Sequence, residues 1–213
     1  MKKSLKMAIL GMAAVSMFAL AGCGDSGKTG DNNKNTGGEQ QGKLLKKIKE
    51  RGKLIVGTSS GYPPYVFVDA TAGDKKVIGL DVELAQQVAN KLGVKLEVQD
   101  MSFSALLSSV TADKVDIAVG GVAPTPEREK AMAFSKIYLP TEQKLLVRKE
   151  EAGKYKSLSD LKGTVLGAEK STTQEATAQK VEGAKAVGLT NVPDAVLELK
   201  HGKLNGIVME GVV

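Results

Sequence analysis

The sequence predicts an α/β fold made of two lobes, each with a parallel-type sheet flanked by helices. Short apolar runs alternate with amphipathic segments along most of the 213 residues, which is typical of parallel sheets covered by helices. Residues 112–119 are echoed at 201–208, where a polar turn and a lysine again lead from a helix into an apolar strand. An extended segment, 141–148, lies between the two halves. These three observations favour two lobes of like topology joined by an extended crossing.

The periodicity of apolar residues places the helices and strands in chain order. In the clearest helix, 80–92, Leu84, Val88 and Leu92 fall on one face, and Gly93 ends it. Buried strands are short continuous apolar runs instead. The predicted helices are 44–51, 80–92, 104–112, 157–162, 173–182 and 193–200. The predicted strands are 54–56, 65–68, 94–98, 115–119, 164–168 and 206–209.

The N-terminus has the pattern of a secretory signal. Three lysines precede an apolar run, 8–21, which is too short to span a bilayer comfortably as a mature helix. Residues 20–23, Leu-Ala-Gly-Cys, resemble the bacterial lipobox, in which the cysteine takes a diacylglycerol and the chain is cut just before it. We therefore expect 1–22 to be a lipoprotein signal peptide and Cys23 to anchor the protein outside the cell membrane. The alternative is an ordinary signal peptide with an incidental cysteine.

The rest of the chain divides into a tether and two lobes. Residues 24–42 contain no apolar residue larger than glycine, so 23–42 is expected to be a flexible tether that buries nothing. Lobe 1 is predicted at 43–140, the hinge crossing at 141–148 and lobe 2 at 149–213.

The overall composition argues against several classes of function. The formal net charge is +6, it would be +3 without residues 1–22, and the lysines are scattered, which does not favour a nucleic-acid partner. Cys23 is the only cysteine, so no disulfide can form within the chain. His201 is the only histidine, which leaves few ligands for a zinc site. We therefore expect no metal, no cofactor and no nucleic acid.

The candidate site follows from the ends of the predicted strands. Ligands of open parallel sheets bind beyond the carboxyl ends of the strands. The stretches that follow the strands contain two aromatic rings, an arginine beside a proline-started helix, hydroxyls at a helix start and a carboxylate. These residues are Tyr62, Phe103, Arg128, Thr172, Thr173 and Glu210.

These residue types suit a zwitterionic ligand. The guanidinium of Arg128 can hold a carboxylate through two parallel hydrogen bonds, and a helix start adds donors. Glu210 and the carbonyl of Gly121 can accept hydrogen bonds from an ammonium group, while Tyr62 and Phe103 can enclose a side chain. Each residue also has an ordinary structural interpretation, as a surface arginine, a helix cap, a core aromatic or a solvated acid.

Residues 52–210 resemble the polar amino-acid-binding lipoproteins of ABC importers, which are solute-binding proteins of family 3 with the type II periplasmic-binding fold. The most specific match is 121–128, Gly-Val-Ala-Pro-Thr-Pro-Glu-Arg. The other matching segments are 57–59, 62–65, 79–85, 101–106, 115–118, 134–138, 157–163 and 171–175.

The resemblance implies a role for most of the candidate residues. Arg128 would hold the α-carboxylate of the ligand, helped by Thr172 and Thr173. The carbonyl of Gly121 and the carboxylate of Glu210 would hold the α-ammonium group.

The remaining positions concern the side chain of the ligand. Tyr62 and Phe103 would stack on it, and Gln174 and Ser59 would shape its far end. Ala123 stands where the family often has a hydroxyl, so one acceptor for the ammonium group is missing. Ser59 stands where binders of cationic ligands often have an acid, which disfavours arginine or lysine.

The predicted function is an extracytoplasmic receptor, not an enzyme. It would bind a free polar L-amino acid in an inter-lobe cleft and deliver it to the permease subunits of an ABC transporter with a separate ATPase. Because chains of the family continue beyond the position of Glu210, we expect lobe 2 to be incomplete and the 213-residue chain to be marginally stable.

Two other functions remain open from the sequence. Residues 57–61 fit Gly-x-Ser-x-Gly, the nucleophile elbow of α/β-hydrolases, with Ser59 as nucleophile, His201 as base and Asp194 as its partner. The elbow needs a helix directly after the serine, and the prolines at 63–64 interrupt one. The third possibility is a sensory solute-binding module of the same fold.

Overall fold

Two β-sheets and a small hairpin organise the chain. The computed structural model describes residues 36–71, 73, 75–211 and 213. The predicted signal peptide, Cys23 and the tether up to residue 35 lie outside the described residues. The strands are β1 (Lys53–Thr58), β2 (Phe67–Asp69), β3 (Lys76–Ile78), β4 (Lys95–Asp100), β5 (Ile117–Ala118), β6 (Gln143–Leu146), β7 (Val165–Glu169), β8 (Lys185–Leu189) and β9 (Gly206–Glu210).

The helices alternate with these strands. They are α1 (Thr36–Arg51), α2 (Leu80–Leu92), α3 (Phe103–Thr111), α4 (Pro126–Glu129), α5 (Thr173–Gln179) and α6 (Val192–Lys200). Single 3₁₀ turns lie at Lys149–Glu151 and Leu158–Leu161. Among the described residues, no helix combines the length and the apolar character needed to cross a bilayer.

The first sheet has the strand order β4-β1-β5, and both neighbours of β1 run parallel to it. Leu54 and Val56 of β1 are fully buried, and they pack with Ile48 of α1 and with Ala85 and Ala89 of α2. The small residues of α2 let that helix lie close to the sheet. β2 and β3 form a separate antiparallel hairpin.

The second sheet has the order β6-β9-β7-β8 and is covered on both faces. β7 runs parallel to β8 and β9, and β6 is antiparallel to β9 at the edge. Successive residues of a strand point to opposite faces. Accordingly, Val208 packs with Ala178 of α5, whereas Ile207 and Met209 pack with Ala195 of α6.

The α/β architecture with two sheets is confirmed, and both sheets lie within one compact unit, residues 38–213. The predicted crossing, 141–148, contains β6, which joins the edge of the second sheet. The boundaries of the lobes at 140 and 149 stay predictions.

Two predicted elements differ from the structure for local reasons. α1 begins at Thr36, so the end of the predicted tether is helical, in keeping with the high helix propensity of Glu-Gln-Gln at 39–41. The predicted helix 157–162 is only a 3₁₀ turn, because the capping box of Ser157 and Asp160 starts it and Gly163, with φ of 78°, follows at once.

The sequence analysis missed two strands, the three-residue β3 and the longer β8. The sequence of β8, Lys-Ala-Val-Gly-Leu, contains a glycine and few β-branched residues, so its intrinsic strand signal is weak. The strand forms because all five of its residues pair with β7.

The second core offers a direct test of this packing. Leu166 of β7 is fully buried, whereas 69% of Leu158 is exposed. Leu166→Ala should lower the free energy of unfolding by about 2–5 kcal/mol, since it removes buried methyl groups and leaves a cavity. The matched control, Leu158→Ala, should change it by less than about 0.5 kcal/mol. Urea unfolding followed by circular dichroism measures both, and equal losses would contradict the assigned core.

Candidate ligand-binding cleft

A cleft lies where strands of both sheets end. Residues that follow β1 and β5 meet residues that end or follow β7 and β9, because the carboxyl ends of parallel strands share one edge of a sheet. Eight of the ten predicted ligand-binding residues line this cleft. They are Ser59, Tyr62, Phe103, Gly121, Arg128, Thr172, Thr173 and Gln174.

The other two predicted residues, Ala123 and Glu210, line an adjoining cavity. Tyr62 and Gly121 line both spaces, so the two adjoin each other. Glu210 is also connected to the cleft through Gln174, whose side-chain amide donates a hydrogen bond to Oε1 of Glu210. The ten residues therefore surround one joint region of the molecule.

Arg128 is held in place from both sides of the cleft. It lies on α4, whose N-cap Thr125 accepts a hydrogen bond from the backbone N–H of Arg128 at 3.3 Å. Its Nη1 donates to the carbonyl of Ala123 at 2.7 Å, and its Nη2 donates to the carbonyl of Ser171 at 2.9 Å. Burial lowers the pKa of this guanidinium. Ala123 thus positions the arginine through its backbone, a role that needs no side chain.

Phe103 supports the same guanidinium. Its ring is buried at the start of α3, and Cζ of Arg128 lies 5.4 Å from the ring centroid, within range of a cation–π interaction. One face of the ring is therefore occupied by Arg128. Tyr62 is the second aromatic of the cleft; it stacks against Tyr65 with centroids 6.0 Å apart and packs on the core of the second sheet.

The two threonines organise the loop between β7 and α5. Thr172 is the N-cap of α5: its hydroxyl accepts a hydrogen bond from the backbone N–H of Glu175 at 3.1 Å and donates to the carbonyl of Glu169 at 2.6 Å. The hydroxyl of Thr173 donates to Oε1 of Gln174 at 3.1 Å. The capping interpretation of Thr172 is therefore correct. The backbone N–H groups of the first turn still face no helical partner.

Glu210 ends β9 with a largely buried carboxylate. No described residue donates a hydrogen bond to its Oε2. Burial raises the pKa of this carboxyl. The arrangement leaves a buried acceptor at the junction of the two cavities.

Glu169 lines the cleft and was missed by the sequence analysis. It is the last residue of β7, and its Oε1 accepts a hydrogen bond of 3.3 Å from the hydroxyl of Ser59, which follows β1 in the other sheet. Burial raises the pKa of the Glu169 carboxyl to about 7. Its position at the carboxyl end of a predicted strand was the available signal. Four further lining residues were also missed: Gly120, Val192, Val208 and Met209.

Polar contacts join the two sides of the cleft. Besides the bond from Ser59 to Glu169, the hydroxyls of Ser104 and Ser171 lie 2.9 Å apart, and Arg128 reaches the carbonyl of Ser171. Ser171 has φ of 66°, in the left-handed region that side chains rarely adopt. This conformation belongs to a loop that contacts the opposite side of the cleft twice.

The residues of the proposed hydrolase triad do not come together. The hydroxyl of Ser59 donates to Glu169, whereas His201 is exposed at the C-terminal end of α6. Val192, at the other end of α6, lines the cleft, and nine residues of helix separate the two by about 13 Å. The residues after Ser59 form no helix, so the elbow is absent too. Among the described residues, no cluster of three or more acids, histidines or cysteines is suited to a metal ion.

The family of the chain is evident at this point. The model for bacterial extracellular solute-binding proteins, family 3, matches residues 54–205, and the chain belongs to this family. It is 35% identical over 211 residues to the arginine-binding extracellular protein of Bacillus subtilis, covering 98% of this chain and 74% of that protein.

The chain is also similar to two further proteins, one of which was solved with a bound ligand. The chain is 33% identical over 168 residues to the L-cystine-binding protein of Escherichia coli strain K12, which covers 78% of this chain and 62% of that protein. A substrate-binding protein of an amino acid ABC transporter from Streptococcus pneumoniae, solved with L-arginine, superimposes with a TM-score of 0.76 at 34% identity. That match covers 78% of this chain and 70% of the other.

The raised pKa of Glu169 predicts how stability depends on pH. Because this pKa is about 7 in the folded protein, above the ordinary value of 4.5, the folded state favours the protonated carboxyl. Its contribution to stability is complete below pH 4.5 and is lost as the pH rises to 7. Glu169→Gln should remove this loss, so the variant gains on the order of 2–3 kcal/mol relative to wild type between pH 4.5 and pH 8.

Urea unfolding of ligand-free protein at several pH values measures this difference. The exposed Glu182→Gln is the matched control, and its difference from wild type should stay constant with pH. A constant difference for Glu169→Gln as well would show that the carboxyl is not perturbed.

Proposed function

We propose that the protein is an extracytoplasmic receptor that binds a free polar L-amino acid in the cleft. It then delivers this ligand to the permease subunits of an ABC importer whose ATPase is a separate subunit. The observation that carries the proposal is the pair of partly buried, opposite charges, Arg128 and Glu210, in two adjoining spaces that share Gly121. A cation and an anion are the two counter-charges that the α-carboxylate and the α-ammonium group of an amino acid require.

The α-carboxylate of the ligand is assigned to Arg128. Two of its five N–H donors are engaged by the carbonyls of Ala123 and Ser171, which fix the plane of the guanidinium and leave other donors for a ligand. The backbone N–H groups of Thr172 and Thr173, at the start of α5, would add donors on the same side, since their hydroxyls are engaged within the loop.

The α-ammonium group is assigned to Glu210. Its Oε2 is a buried acceptor without a donor among the described residues, and the carbonyl of Gly121 lies on the same shared wall. An ammonium group there would relieve the cost of burying the carboxylate. Ala123 adds no hydroxyl, so Glu210 would carry more of this interaction.

The side chain of the ligand would lie between Tyr62 and the wall formed by Ser59 and Gln174. Tyr62 offers the aromatic surface of the cleft, because the ring of Phe103 already supports Arg128. In this reading Phe103 positions the carboxylate-binding arginine. Binding closes the two sides of the cleft on the ligand, and no covalent bond is made or broken.

Relatives support the amino-acid class of the ligand. The curated relatives are named for arginine and for L-cystine, and the S. pneumoniae structure contains L-arginine. All of these are α-amino acids, so the groups that they share are the α-carboxylate and α-ammonium. The family name also supports a location outside the cytoplasm.

Anchoring by lipid is part of the same proposal. The segment 20–23 supports cleavage before Cys23 and attachment of a diacylglycerol to its sulfur. A receptor held at the membrane surface by a tether stays close to its permease, which raises the effective concentration of ligand-loaded protein there.

Removal of the arginine tests the assignment of the carboxylate site. Arg128→Ala should weaken amino-acid binding by about 100-fold or more, because a desolvated carboxylate loses its charged partner. Arg128→Lys should restore little, since a lysine cannot make the two-pronged contact. Isothermal titration with arginine, lysine, histidine, glutamine and cystine measures the effect.

The exposed Lys130→Ala, two residues away, is the control and should bind like wild type. Circular dichroism of each variant separates loss of binding from loss of fold. Near-wild-type binding by a folded Arg128→Ala variant would contradict the site.

The anchor has its own test. Cys23→Ala should abolish lipid attachment, so that the protein is released to the medium or keeps an uncleaved signal, while ligand binding is unchanged. Membrane fractionation with mass spectrometry of the N-terminus decides between these outcomes. An unmodified Cys23 in mature wild-type protein would refute the lipobox interpretation.

A further inference from the structure

The joint cleft contains more carboxylates than the backbone of an amino acid can neutralise. The cleft itself is lined by the cation Arg128 and the anion Glu169, and the adjoining cavity is lined by the anion Glu210. The adjoining cavity adds Asp81, which accepts a hydrogen bond from the hydroxyl of Tyr138 at 2.8 Å, and the exposed Lys136. A zwitterion bound as proposed pairs with Arg128 and Glu210, which leaves Glu169 in the cleft and Asp81 in the adjoining cavity.

Glu169 has no cationic partner in the described part of the chain. None of the ion pairs among the described residues involves it, and its neighbour Lys170 does not reach it. Its hydrogen bond comes from the neutral hydroxyl of Ser59. A largely buried carboxylate with only a neutral donor keeps its proton more readily, which agrees with its raised pKa.

Two carboxylates away from the cleft are paired with cationic side chains. Asp116 is paired with Arg51, and Glu151 is paired with Arg148 and Lys154. These two carboxylates therefore have counter-charges within the chain. Within the residues that the structure describes, Glu169 has no such counter-charge, and its carboxylate lines the cleft.

We infer that Glu169 selects an amino acid whose side chain carries a positive charge, such as L-arginine or L-lysine. This inference rests on the proposed function and assigns the part of the ligand that the backbone contacts leave open. The carboxylate can accept two parallel hydrogen bonds from a guanidinium, and Tyr62 can add a cation–π contact from the same cleft.

This inference also changes the interpretation of Ser59. Its lack of a carboxylate disfavoured a cationic ligand as long as only the first sheet was considered. In the folded protein, the hydroxyl of Ser59 instead holds a carboxylate that the second sheet supplies at the same place. The acid for a cationic side chain thus comes from the opposite side of the cleft, and Ser59 positions it.

Binding of L-arginine and L-citrulline tests the inference, because citrulline has nearly the same shape as arginine without its charge. At pH 8, wild-type protein should bind arginine about 10- to 100-fold more tightly than citrulline in isothermal titration. Glu169→Gln should bring the two affinities within about threefold by weakening arginine, while citrulline binds at least as well as before. Glu182→Gln should keep the wild-type ratio.

Equal affinity of wild-type protein for arginine and citrulline would overturn the inference, and so would an unchanged ratio in Glu169→Gln. Where Glu169→Gln does not fold, Glu169→Asp replaces it and should keep a preference for arginine smaller than that of wild type. The proposed function fails separately, if wild type binds no amino acid or if Arg128→Ala binds both probes normally.

Discussion

The cleft depends on the hydrogen bonds made by the partly buried guanidinium of Arg128. A guanidinium that is taken out of water needs acceptors for its N–H donors. Here one carbonyl from each side of the cleft accepts a hydrogen bond from it. Phe103 covers its face at 5.4 Å. Because one of these carbonyls belongs to Ser171, in the loop that leads into α5, the same cation draws that loop onto the first sheet. The walls of the cleft are therefore tied together through the group that is proposed to bind the ligand.

Two carboxylates at the cleft and the adjoining cavity, by contrast, have no cationic partner among the described residues. Glu169 and Glu210 end neighbouring strands of the second sheet, and their partners are the neutral side chains of Ser59 and Gln174. Neutral donors hold the carboxylates in position without cancelling their charge. A cleft of this kind is preorganised for cations, and it is expected to bind a positively charged ligand most tightly. Away from the cleft, Asp116 is paired with Arg51.

Local sequence signals located most elements but not all of their partners. The helix at 80–92 was predicted at its observed bounds, because its apolar face and Gly93 are both encoded within thirteen or so residues. β8 escaped because its residues become a strand only by pairing with β7. Glu169 was not predicted as a site residue for a similar reason. From the sequence, a glutamate at a strand end is expected to be solvated, and only the fold shows that its carboxyl is largely buried. Phe103 was recognised as a cleft residue, whereas its contact with Arg128 depends on the path of α4.

The sequence by itself determined the alternation of strands and helices, the family and the residue types that gather at the strand ends. These follow from periodicity and from motifs of a few residues, which act over short stretches of chain. Only the tertiary structure decided which of those residues face each other, as in the bond from Ser59 to Glu169 across 110 positions of sequence. The charge balance of the cleft is such a property, because burial and pairing depend on both sheets at once. The preference for a cationic side chain is inferred from that balance, and no single motif contains it.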